Sequence, residues 1–541
     1  MTATSDGGRI GSRYPWEGHH MTAEQAAPAA AGPVGGITRR QLYWLLGGLI
    51  IGLFLAATEQ SVVATALPTI AGELGGANRI AAVVSAYLLT STVVTPLYGK
   101  LSDLYGRRIV YQASIAIFIV GSALCGLAHT MDQLIAARVV QGAGGGGLMS
   151  LAFVIIGDVL SPRERGRYIG VFTGAFAFSS VTGPLWGGLL VDTVGWRWIF
   201  LVIVPAGLIG LAVTSVGLRL PFAVRKRPID WAGALLLVTA SSALILVPIW
   251  GESGAGWTSP RVTIVGVVGV VLTVLFVLRE RVAEEPILPL RLFTDRTVSA
   301  TFVMGFLLMA ALISVSTLMP LFLQIAKGVS ATSSGLRMVP QTIGITLTAT
   351  ITGNIVSRVG RYKWSMLAGP AIAAVGVGLL STIDAATGFP ELAVYLVLLG
   401  VGLGMVFPNM TLAVQNVVSM ADLGVGTTTA NFFRNMGATF GAAVAGAVVN
   451  ARLGSELAER VEAERLASFG GAEGLLRSPK VVRDLPTDLH DAVGESVTVA
   501  VTSTFRWAVP VMLLLIVLAL LVREAPLRTM SAMQSQQAPP E

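Results

Sequence analysis

Residues 99–108 read Gly99-Lys100-Leu101-Ser102-Asp103-Leu104-Tyr105-Gly106-Arg107-Arg108. Apolar runs at about 78–98 and 109–128 flank this stretch, and each matches the ~20 residues a helix needs to cross a bilayer. The glycines let two helix ends approach closely, and Asp103 can pair with cations or with a helix N-terminus. The stretch has an echo far down the chain, Gly353-Asn354-Ile355-Val356-Ser357-Arg358-Val359-Gly360-Arg361-Tyr362. Gly99, Gly106 and Arg107 match Gly353, Gly360 and Arg361 at the same offsets, each set closing the second span of a six-span half. Two related halves are a transporter arrangement. In the second copy Ser357 replaces the acid and Tyr362 the last arginine, so an asymmetric pair of turns is expected.

Composition agrees with a membrane reading. The 541 residues are 53% hydrophobic and 12% charged, with mean hydropathy +0.73, against roughly 25% charged in soluble domains. That excludes a disordered chain, a coiled coil and an ordinary soluble enzyme. Net charge +7 comes from clusters between apolar runs, such as Arg163, Arg165 and Arg167, which fits membrane topology and not nucleic acid. Cys125 is the single cysteine and lies in an apolar run, where it reads as a small core hydrophobe. Four scattered histidines offer no metal spacing, and no catalytic constellation is present.

Fourteen apolar runs are long enough to span, which predicts an all-α integral membrane protein. The first six lie at about 43–67, 78–98, 109–128, 134–157, 168–191 and 198–218. A hairpin follows at about 230–249 and 262–279, and the last six lie at about 298–323, 335–357, 364–383, 392–414, 427–450 and 505–522. The expected organisation is a cytoplasmic tail 1–40, a six-helix bundle 41–220, an inserted two-helix hairpin 221–296, a second bundle 297–525 and a tail 526–541. The tail before the first run lacks the apolar region of a signal peptide, so that run doubles as an uncleaved anchor. Lysine and arginine concentrate on one side of these spans, with only Arg79, Arg197, Arg261, Lys327 and Arg337 in the short loops opposite, so both ends are expected in the cytoplasm. A long outer loop, 451–504, has helical periodicity near 451–466 and is expected to extend its two spans or form a cap.

Few charges remain inside the spans. Arg138 in Leu134-Ile135-Ala136-Ala137-Arg138-Val139-Val140-Gln141-Gly142 costs about 2.5–3.5 kcal/mol to insert and must face the bundle interior or water. Gln141, three residues on, shares its face. The run Gly144–Gly147 lacks the Lys-Ser/Thr of a phosphate loop and reads as a close-packing stretch. Gly170, Ser179, Gly183, Pro184, Gly187 and Gly188 in the fifth span permit tight helix contact and a bend. Glu59, in Glu59-Gln60-Ser61-Val62-Val63-Ala64-Thr65-Ala66-Leu67-Pro68, is the one acid well inside a span by these boundaries, and an isolated buried carboxylate resists ionisation. Arg434 in the thirteenth span is the other deep cation. Trp196-Arg197-Trp198 reads as an interfacial anchor.

On these motifs the chain resembles the major facilitator superfamily, and within it the fourteen-helix drug:proton antiporter branch of the EmrB/QacA type, over residues 40–525. The resemblance implies two six-helix bundles plus a two-helix insertion. It makes Gly99, Asp103, Gly106, Arg107 and Arg108 a cytoplasmic gating latch, and Arg138, Gln141 and Gly142 an antiporter motif. Gly170, Gly183, Pro184, Gly187 and Gly188 become an export signature, with Ser179 in place of one glycine; Glu59 stands where the family has aspartate. Glu59, Arg138 and Arg434 are then the expected proton-coupling residues, with Glu59 paired to either arginine. The residues alone leave plainer roles open: a topological turn, a packing arginine, a kinked small-residue helix, a permanently paired glutamate. The implied function is a proton-coupled exporter of amphipathic, often cationic compounds, monomeric, in the bacterial cytoplasmic membrane among its lipids. It would use the proton gradient with no cofactor, metal or nucleic acid. The alternatives are a dedicated exporter of a self-made metabolite, antibiotic or lipid, or a non-transporting membrane scaffold.

Overall fold

A computed structural model describes residues 38–74, 79–218, 228–251, 256–461 and 486–528. The polar tails expected at 1–40 and 526–541 lie almost wholly outside these residues. Long helices dominate: α1 (Arg39–Leu74), α2 (Ile80–Tyr105), α3 (Arg107–Gly126), α4 (Met131–Val159) and α5 (Pro162–Thr193) come first. The sixth expected span is broken at Val202 into α6 (Arg197–Leu201) and α7 (Ile203–Gly217). The hairpin is α8 (Trp231–Trp250) and α9 (Pro260–Val282). Then come α10 (Arg296–Ile325), the short α11 (Ala331–Arg337), α12 (Val339–Val359), α13 (Lys363–Leu380), α14 (Phe389–Val417), α15 (Leu423–Arg460) and α16 (Thr487–Leu521). Among the described residues twelve helices are long and apolar enough to cross a membrane.

Local sequence sets the helix starts. Thr130, Asp230, Ser259 and Asp295 each accept a hydrogen bond from an N–H of the first turn of α4, α8, α9 and α10, the role that short oxygen-bearing side chains play at N-caps. Ser161 and Glu164 form a reciprocal capping box at α5. Gly106, at φ 89°, joins α2 to α3 in a backbone conformation that L side chains rarely adopt.

Helix neighbours reveal the internal repeat. In the first bundle α4 packs on α2 and α3, α1 on α5, and α7 on α1 and α3. In the second, α14 packs on α12 and α13, α10 on α15, and α16 on α10 and α13. Position for position these are the same pairings. Each bundle has its own apolar core, one around Leu49, Phe118 and Leu151, the other around Met319, Leu403 and Phe505. The seam between them is also two-fold: α2 lies on α15, and α5 lies on α12.

One sequence expectation is narrowed and one is corrected. Of the outer segment 451–504, α15 continues to Arg460 and α16 starts at Thr487, so the described parts extend the two spans, one of the two arrangements expected. Leu453, Leu457 and Val461 join Leu489, Val493 and Val497 in one core, which buries the facing sides of both extensions. The stretch between them, 462–485, lies outside the described residues. Trp196 is no interfacial anchor: it is 1% exposed and donates through Nε1 to Glu73 at 2.9 Å. Glu280 lies in the last turn of α9, where its carboxylate accepts from the Ile287 and Leu288 N–H groups at 3.1 Å each.

The hairpin straddles the seam, with α8 against both α2 and α15. Its foot is pinned by Arg279 and Asp230, 3.0 Å apart. Burial pushes the Asp230 carboxyl up, but bonds from Arg279 and from the Gly233 and Ala232 N–H groups outweigh it and hold it below the usual carboxylate range. The strand of chain leaving the hairpin grips both bundles: Glu285 meets Lys100 of α2 at 2.7 Å, and Arg291 meets Asp422, just before α15, at 2.7 Å.

Candidate functional site

Glu59 stands midway along α1, where α4 brings Arg138 against it. Both are buried, and Arg138 donates through Nη1 to Glu59 Oε1. The same nitrogen donates to Gln141 Oε1 at 2.8 Å, and Nε donates to the Val83 carbonyl of α2 at 3.2 Å. The guanidinium carbon lies 4.3 Å from the centre of the Tyr87 ring. Gln141 extends the chain of bonds: its Nε2 donates to Ser122 Oγ at 3.2 Å, and Ser122 donates to the Phe200 carbonyl at 2.9 Å. Cys125, buried as expected of a core cysteine, also donates to Gln141 Oε1 at 3.4 Å. Arg138 is therefore held from three helices. Glu59 Oε2, also buried, has no hydrogen-bond partner among the described residues.

Glycine makes this close approach possible. A methyl group on Gly142 would strike the Tyr87 backbone, one on Gly121 the Gln141 backbone, and one on Gly144 the Phe118 backbone. The run Gly144–Gly147 is thus a packing face between α2 and α3, as its sequence suggested. Two motifs of the first and fifth spans prove to be one contact. Ser179 accepts from Thr58 Oγ1 at 2.9 Å and donates to the Phe54 carbonyl at 3.3 Å. Gly183 seats Ser61, and Gly187 seats Thr65 and Val62. Small residues at intervals of four therefore lay α5 along the stretch of α1 that carries Glu59. A methyl on Gly188 would meet open space; the side-chain surroundings of Gly170 and Pro184 are outside the described residues.

At the turn, Arg107 is buried and bonds to Asp103 at 2.5 Å, to Asp158 at the end of α4 at 2.6 Å, and to Ser102 Oγ at 2.5 Å. Both Asp103 oxygens and Arg107 Nη1 lie against Gly424 in the first turn of α15, where the positive end of the helix dipole complements a carboxylate. Gly99 lies against Thr428 one turn further along α15. Arg108 instead reaches the Ser215 carbonyl at 3.3 Å within its own bundle. Arg165 completes the closure: it is fully buried, donates to the Leu160 carbonyl at 2.8 Å and the Gly157 carbonyl, and crosses the seam to Gln415 Oε1 at 2.8 Å. Gln415 returns a bond to the Phe153 carbonyl and one to Thr427, both 3.1 Å.

Arg434 is placed apart from the Glu59 site. It is half-buried among α10, α14 and α15; its Nη1 lies 3.4 Å from Thr411 Oγ1, and it has no contact with Glu59 among the described residues. Of the two arginines considered as partners for Glu59, the structure brings Arg138 to it. Sequence reading missed Arg165, hidden in a basic cluster that read as topology alone, and Gln415, a lone amide in an apolar span. It also missed Lys100, which faces the hairpin from within the quoted turn.

Comparison with known proteins fits this architecture. The profile of the Major Facilitator Superfamily matches residues 49–442. An MFS-type transporter of Mycobacterium tuberculosis is 38% identical over 94% of this chain and 73% of its own length. The multidrug transporter protein MdtP of Bacillus subtilis is 37% identical, covering 77% of each chain. A MFS-type transporter of an acurin A biosynthesis cluster in Aspergillus aculeatus is 33% identical over 82% of this chain and 80% of its own. Among solved structures, the human organic anion transporter MFSD10 superposes with a TM-score of 0.58 at 15% identity, covering 87% of this chain and 99% of that one. The chain belongs to the Major Facilitator Superfamily, and it is a membrane transporter, not an enzyme.

Proposed function

We propose that this superfamily member exports amphipathic compounds, cationic ones included, in exchange for protons across a bacterial cytoplasmic membrane. The observation that carries the reading is the Glu59–Arg138 pair with its orphan oxygen. Oε1 is held by Arg138, whereas Oε2 is buried without a partner, so Oε2 is the atom at which a proton can be added. Protonation removes the charge that Arg138 answers and leaves Arg138 to Gln141 and the Val83 carbonyl. Since α1 is laid along α5, and α5 lies on α12 across the seam, a change at Glu59 is applied at a helix of the inter-bundle contact. One acid in this position favours few protons per cycle. The charge distribution favours both termini in the cytoplasm. The bundles are then closed to the cytoplasm by Arg165, Gln415 and the Asp103–Arg107 turn. The long helices α5 and α12, added to the twelve markedly apolar ones, support fourteen crossings. The protein would work as a monomer among lipids, driven by the proton gradient without a cofactor.

The test is dye efflux from proteoliposomes under an imposed pH gradient, with ethidium as the probe. Glu59→Gln should keep dye binding and lose uphill efflux; uphill export by that variant would overturn the assignment. The relative from a biosynthesis cluster supports a second reading, a dedicated exporter of one self-made compound. Competition by a panel of unrelated dyes separates the two.

A further inference from the structure

The first bundle answers its buried arginine with an acid; the second does not. On Arg434 the Nε is buried and has no partner among the described residues, and Nη1 has only the long contact to Thr411. Its guanidinium carbon lies 5.8 Å from the centre of the Phe407 ring. One helical turn earlier Asn431 is 7% exposed, and its Nδ2 is likewise buried without a partner. Two unsatisfied donors at i and i+3 occupy one sector of α15.

The rest of α15 shows where that sector points. Gly437 and Gly441 pack on Phe306 and Ala310 of α10, while Gly424 and Thr428 meet Asp103 and Gly99 of α2. Between these two faces run Thr427, Asn431 and Arg434, and Thr427 already bonds Gln415 beside the cross-bundle contact of Arg165. The sector therefore faces the seam between the bundles. Among the described residues, no acid of α10, α14 or α15 is placed to serve it. On α14 Glu391 sits in the first turn beside Tyr395; on α15 Asp422 precedes the helix and is held by Arg291, and Glu456 and Glu459 lie in the last turn. Asp295 caps the start of α10. A half-buried guanidinium whose Nε is buried without a partner is costly, and a ligand that supplies a counter-charge recovers part of that cost on binding.

We propose that Arg434 and Asn431 form a substrate subsite for a carboxylate, with Thr411 as an additional hydroxyl and Phe407 as the apolar wall for the body of the molecule. The substrates then include amphipathic compounds bearing an anionic group, as acids or zwitterions. This rests on the exporter reading above but uses a different bundle from Glu59. Arg434 thereby selects what is carried, and Glu59 governs the drive.

The test measures binding of carboxyfluorescein and of ethidium to the purified full-length chain in detergent, by fluorescence anisotropy. Carboxyfluorescein should bind, and Arg434→Gln should weaken it roughly tenfold to a hundredfold, the range for losing a charge-assisted hydrogen bond. The ratio of the two affinities should move toward ethidium. Arg434→Lys should restore part of the carboxyfluorescein binding, and Asn431→Leu should weaken it several-fold, so the test stands if Arg434→Gln fails to fold. The proposal is overturned if carboxyfluorescein does not bind the native chain, if its affinity is unchanged in these variants, or if both dyes lose equally. Ethidium efflux by the native chain against Glu59→Gln judges the exporter reading separately.

Discussion

The two related turns have the same backbone task and different partners. In the first, Asp103 and Arg107 lie against the opening turn of α15, so the turn holds the opposite bundle. In the second, Gly360 takes the left-handed conformation that ends α12, and the next residues turn inward to their own bundle. Tyr362 donates to the Arg523 carbonyl at 3.1 Å, and Lys363 donates to the Leu520 carbonyl at 3.0 Å. Where the first turn has Asp103 and Arg107 against the opposite bundle, the second has Tyr362 and Lys363 fastened within its own.

The largest test of this contrast is Arg107→Ala. It leaves buried Asp158 and half-buried Asp103 without their cation, which should cost about 3–5 kcal/mol and lower the thermal midpoint of the purified protein sharply; a shift within error would deny the turn its structural role. Gly99→Ala should come next, at about 1–3 kcal/mol, because the added methyl meets Thr428. Thr428→Ala in the same chain should recover most of that loss, and strict additivity of the two changes would show that the seam is not the site of strain. Asp103→Asn removes the charge beside α15 at constant size, and should shift spin-label distances across the seam toward longer values by loosening the closed state. Unchanged distances would mean that packing alone closes that end. The smallest effect is expected for Tyr362→Phe, about 1 kcal/mol for one hydrogen bond, with no change in distances across the seam. A seam response there as large as that of Asp103→Asn would erase the contrast.

Much of the fold was legible in sequence, because spans announce themselves by length and hydropathy. The repeat was read only at its turns, although the packing glycines repeat too: Gly142, Gly144 and Gly146 of α4 meet α2, α3 and α2, as Gly400, Gly402 and Gly404 of α14 meet α12, α13 and α12. Glu59 and Arg138 were both conspicuous as charges in apolar runs. Their pairing was not, since the relative height of α1 and α4 depends on close contacts such as Gly52 on Leu148, and Arg434 satisfied the same sequence criteria. Arg165 was hidden for the opposite reason. Charges at span ends are expected there, and nothing local distinguishes the one that turns inward.

The hairpin foot has a consequence for modularity. Glu285 and Arg291 lie on one short stretch of chain, yet each neutralises a charge that belongs to a different bundle, Lys100 in one case and Asp422 in the other. Lys100 is itself 7% exposed. Cutting out residues 221–296, the hairpin with its flanking chain, would strand that ammonium group without Glu285. The hairpin and the chain that flanks it are therefore bonded to both bundles and form no detachable accessory. A chain shortened there would need compensating changes at Lys100 and Asp422 before it could close.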